Sequence, residues 1–81
     1  MKMNVFEYTI TDGRNDIAGC EDLDLAKGIA YHLAEEKHCD IDVINAFTGE
    51  VVYSLECYIH LTLHRDKQME KSYEVKEREW D

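Results

Sequence analysis

Val51-Val-Tyr-Ser-Leu-Glu-Cys-Tyr-Ile-His-Leu-Thr-Leu63 is apolar at every odd position and mostly polar between them, at Ser54, Glu56, His60 and Thr62. A two-residue period puts alternate side chains on opposite faces, so this stretch reads as a β-strand with one buried and one wet face. Carried on to His64 it would reach roughly 46 Å, well beyond the usual five or six residues, so a bulge or bend is expected near Glu56–Tyr58.

Upstream, Ala46-Phe-Thr-Gly49 reads as a short hairpin connection, with Gly49 suited to positive φ, and Ile41–Phe47 as the preceding strand. Leu25, Ala26, Ile29, Ala30, Leu33 and Ala34 recur at three- and four-residue spacing, which predicts an amphipathic helix ending near Lys37, with Asp22 as N-cap and Asp24 in the first turn. Gly28 inside that helix is expected to be compensated by close packing on the sheet. Phe6, Tyr8 and Ile10 alternate with polar residues and give a first strand over residues 3–11, and the glycine-bearing segment 11–19 reads as an ordered loop.

These elements predict a two-layer α+β domain over residues 1–64: one helix on a mainly antiparallel three-stranded sheet of order 1-3-2, with Phe6, Tyr8, Ile10, Tyr53, Leu55 and Cys57 facing Leu25, Ile29 and Leu33. Residues 65–81 form a charged C-terminal extension, helical or strand. Helix is favoured, because Met69, Tyr73 and Trp80 share a helical face and Glu74 precedes Arg78 by four residues. That stripe is the candidate dimer contact. At 81 residues a single domain has a thin core, so self-association is one way to cover leftover apolar surface.

The net charge is −9, and residues 1–64 carry most of it, with twelve acids against four cations, while 65–81 hold six acids against five cations. Such a body repels phosphate, so direct nucleic-acid binding is not expected. Three cysteines with no C-x-x-C pair, and an N-terminus that runs straight into charged residues, point to a reducing, cytoplasmic setting. No run approaches the ~20 apolar residues of a membrane span.

Candidate chemistry is sparse. His60 and His64 share a strand face but lie about 13 Å apart, too far to hold one ion together. His32, His38, Cys39, Cys20 and Cys57 match no zinc-module spacing, and Asp12, Asn15 and Asp16 lack the alternation of a calcium loop. No nucleophile elbow or phosphate-cradling glycine loop is present, so neither enzyme activity nor a metal or cofactor is expected. The acidic residues Asp22, Asp24, Glu35, Glu36, Asp40 and Asp42 are the candidate partner-binding set, able to engage Arg/Lys on a basic protein surface through charge-assisted bonds.

The segment Asp22 to Tyr53, with Leu23-Asp-Leu-Ala-Lys-Gly-Ile-Ala30, Ile41-Asp-Val-Ile44 and Thr48-Gly-Glu-Val-Val-Tyr53, resembles small acidic β-α-β-β proteins of bacteriophages and mobile elements, among them anti-CRISPR inhibitors. The resemblance implies a protein that blocks a host complex by docking on a basic, nucleic-acid-binding surface. It carries over no site residue, because such proteins share architecture and not a site. The alternative is a self-associating homodimeric domain without an inhibitor role.

Overall fold

A computed structural model describes residues 6–78. The chain order is β1 (Tyr8–Thr11), β2 (Asp16–Cys20), α1 (Leu23–Lys37), β3 (Ile41–Asn45), β4 (Val51–Leu63) and β5 (Met69–Arg78). The strands form one five-stranded sheet of order β2-β1-β3-β4-β5, with every neighbouring pair antiparallel.

This overturns the expected three-stranded sheet of order 1-3-2. Two segments add strands. Within the expected loop 11–19, Asp12 Oδ1 accepts hydrogen bonds from the Arg14 and Asn15 amides and turns the chain back, so that Asp16–Cys20 pairs with β1. The tail, expected as helix, is β5, bonded rung by rung to β4 from Ser54↔Arg78 to Leu63↔Met69. The central position also changes: β3 lies between β1 and β4, because the helical crossover from β2 passes over β1. The irregularity expected near Glu56–Tyr58 sits instead where β4 meets β3, between the rungs Val43↔Tyr53 and Ile44↔Val51.

Asp22 caps α1 as read from the sequence, its carboxylate accepting from the Asp24 amide at 3.1 Å. His38, in the left-handed region with φ 54°, ends the helix by donating its amide to the Ala34 carbonyl. The helix buries a line of alanines, Ala26, Ala30 and Ala34, against Ile10, Ile41, Val43, Tyr53 and Leu55. Leu25, expected to face inward, is 58% exposed, and Phe6 also stays at the surface. Ile29 and Leu33 flank the alanine line, and small side chains along the contact let the helix approach the sheet closely.

Gly28 lies on the exposed side of α1 with nothing within 4 Å of where a Cβ would stand, so close packing is not what compensates it. Gly28→Ala is accordingly expected to raise stability by up to ~1 kcal/mol through helix propensity alone. Urea denaturation would check this, and a loss of stability would contradict it.

Candidate interaction surface

Beyond Leu55, β4 has no further partner on its β3 side. The Asp40 carboxylate closes that edge by accepting the Cys57 amide at 2.8 Å. From Tyr58 to the turn, β4 and β5 continue alone as a two-stranded arm. The principal extents are 61 × 31 × 20 Å, and the radius of gyration is 15.7 Å. A compact chain of this length would have about 12 Å, so the arm stretches the molecule well past a sphere.

The arm turns at His64–Gln68, where the His64 amide donates to the Gln68 carbonyl at 2.9 Å and Lys67 takes φ 65°. Directly opposed residues share a face, so the rungs Ile59↔Tyr73, Leu61↔Lys71 and Leu63↔Met69 extend the helix-side face that carries Tyr53 and Leu55. The helix ends before reaching them. Its fifteen residues span roughly 22 Å and β4's thirteen roughly 43 Å, so one element cannot roof the other. The last contact is His38, whose ring stacks on Tyr73 with centroids 3.7 Å apart. Past that contact the face is bare: Ile59 is 54%, Leu61 61%, Leu63 69% and Met69 65% exposed, with Tyr73 at 38%.

The base of the arm is firmly tied. Tyr53 donates its hydroxyl to Glu77 at 2.7 Å, with the Lys27 ammonium 5.2 Å from its ring centroid. Burial, then the bond to Glu77, pushes the Tyr53 pKa well above the ordinary tyrosine value. An open cleft of about 410 Å³ lies between the helix and β5, lined by Tyr31, Glu35, His38, Tyr73, Glu74 and Val75.

The opposite face of the arm is polar. His60 pairs with Glu74 and His64 with Glu70, each at 2.8 Å, and Lys76 approaches Glu74 at 3.7 Å. Among the described residues, no group of three or more His, Cys, Asp or Glu is placed to hold a metal ion. The hydrogen bond with His60, first among its causes, holds the Glu74 carboxyl below the ordinary value of 4.5. A lowered folded-state pKa means that the pair's contribution is present above 4.5 and is lost as pH falls through the lowered value. His60→Ala is expected to return Glu74 upward toward 4.5, read from its side-chain carboxyl resonance by NMR. An unmoved midpoint would remove His60 as the cause.

The six acidic candidates do not form one stripe. Asp22 caps the helix, Asp40 caps the sheet edge, and Asp42 accepts the Ser54 hydroxyl on the face away from the helix. Asp24 and Glu36 stand at opposite ends of α1, roughly 18 Å apart along its axis, and Glu36 faces His32 at 3.6 Å. Asp42 is half-buried and the other five are exposed.

Of the expected dimer stripe, Met69 and Tyr73 do share a face, but as strand residues, because a spacing of four is even and satisfies both periods. Trp80 lies outside the described residues. Ile59, Leu61 and Leu63 continue the strand face expected to be buried and are instead more than half exposed, as is Met69 opposite Leu63. The mismatch between a 43 Å strand and a 22 Å helix was the signal for it. No helix is long and apolar enough to cross a membrane among the described residues. No family model, curated protein or solved structure matches this chain.

Proposed function

We propose that this chain acts by protein–protein association, with the apolar face of the arm as its principal contact and the exposed carboxylates of α1, on the body, as charge that attracts a basic partner. The observation that carries the reading is the set of four large apolar side chains on the arm, Ile59, Leu61, Leu63 and Met69, each more than half exposed on one face. Soluble proteins rarely leave contiguous apolar patches of several hundred Å² uncovered, and those that do use them for association. The net charge of −9 supports electrostatic attraction of a basic surface. An inhibitor that occupies a nucleic-acid-binding groove is the form of this activity suggested by the resemblance to small acidic phage proteins.

The test is affinity capture from an extract of the source organism, with the wild-type chain beside Leu61→Asp and Glu35→Lys/Glu36→Lys. A specific protein held by the wild type, lost with Leu61→Asp and captured less strongly at high salt is the expected result. A partner retained equally by Leu61→Asp would remove the arm from this reading, and one indifferent to Glu35→Lys/Glu36→Lys would remove the steering charge.

A further inference from the structure

We propose that the occupant of the bare arm face is a second copy of this chain, packed arm against arm in a two-fold dimer. The inference rests on reading the arm as the binding surface and names its partner.

Charge selects the arm for self-contact. From Tyr58 to Val75 the chain carries three cations, Arg65, Lys67 and Lys71, and three acids, Asp66, Glu70 and Glu74. Over both faces and the turn the arm is therefore neutral, with Lys71 the charge on its apolar face, and the whole net charge of −9 lies outside it. Two copies meeting through their bodies would oppose like charges, whereas two copies meeting through their arms hold the acidic bodies apart. A strongly basic partner would find no excess of carboxylates on the arm.

Area and shape agree. At the observed exposures, Ile59, Leu61, Leu63, Met69 and Tyr73 offer at most roughly 600 Å² per copy, so a face-to-face pair that covered them completely would bury roughly 1,200 Å². That ceiling stands at the lower end of the range, about 1,200 Å², for a stable specific interface. A two-stranded ribbon with one apolar face is self-complementary under a two-fold axis, since two such faces stack as a small sandwich about 10 Å thick. An isolated hairpin is marginal in water, and stacking supplies the second layer that the helix is too short to provide. Lys71, the one charged residue among these rungs, lies with its ammonium 5.5 Å from the Tyr73 ring centroid. Its stem can cover apolar surface beside Leu61 while the ammonium reaches out to water.

The experiment is sedimentation velocity on the full chain from 1 to 100 µM, comparing the wild type with Leu61→Asp and with Phe47→Asp, which alters an exposed aromatic in the β3–β4 turn away from the arm. A wild-type mass twice that of the chain is expected, kept by Phe47→Asp and weakened about thirtyfold or more by Leu61→Asp. Hydrogen exchange on the wild type at the two concentration limits guards against a variant that fails to fold. The Ile59, Leu61 and Leu63 amides should gain protection at the higher one. A wild type that is monomeric at 100 µM, a dimer unaffected by Leu61→Asp, or arm amides indifferent to concentration would each overturn the second-copy inference. If the wild type is monomeric yet loses its captured partner through Leu61→Asp, the arm remains a binding surface for a different protein. If neither behaviour depends on Leu61, the binding reading fails as well.

Discussion

Leu55→Ala is expected to lower the free energy of unfolding by about 3 kcal/mol, whereas Leu61→Ala in dilute protein should change it by less than about 0.5 kcal/mol. The two leucines lie on the same strand, on the same face, six residues apart. Leu55 is 1% exposed and pairs with Ile41 beneath α1, so truncation loses its transfer free energy and leaves a cavity among Ile10, Val43 and the helix alanines. Leu61 is 61% exposed opposite Lys71, and removing its side chain leaves no cavity in a single copy. Urea denaturation at low micromolar concentration separates the two cases. Equal losses at both positions would mean that the arm face is covered within one chain, and the proposed interface would then have no bare surface to stand on.

Ala30→Leu is expected to destabilise the fold by about 2 kcal/mol, while Leu25→Ala should be nearly neutral. Ala30 is fully buried in the middle of the alanine line, where the helix meets the sheet. Three further carbons there must displace the helix or force neighbouring side chains off their preferred rotamers. Leu25 is exposed, and alanine is a slightly better helix former, so its truncation has little to lose. Thermal unfolding of both variants checks the contrast. The opposite order would show that Leu25, and not the alanine line, contacts the sheet.

These contrasts mark how far the sequence could be read. The helix, its Asp22 cap, the β3–β4 hairpin and the period of β4 follow from local rules, because capping, turn chemistry and alternation are properties of a few neighbouring residues. Helix is favoured over strand for β5 because its turn, Arg65-Asp66-Lys67, offers only Asp66, which accepts the Gln68 amide, among the usual signals, and a lysine takes the left-handed position where glycine or asparagine is common. Met69 and Tyr73, four apart, then fitted a helix as well as a strand. β2 is hidden by Ala18 and Gly19, poor strand formers two residues after a turn, and only pairing with β1 makes them a strand.

The candidate site was legible as residues but not as a surface. The acidic set read from the sequence is divided among a helix cap, a sheet cap, a bond to Ser54 and two helix ends, and composition cannot separate carboxylates engaged inside the fold from those left free. The sequence by itself determined that Val51 to Leu63 is a strand with an apolar face, since periodicity is fixed by backbone geometry alone. Only the tertiary structure decided that the first half of that face is core and the second half bare. Coverage depends on where a separate element ends, and α1 stops at Lys37, leaving the arm to run on without a roof.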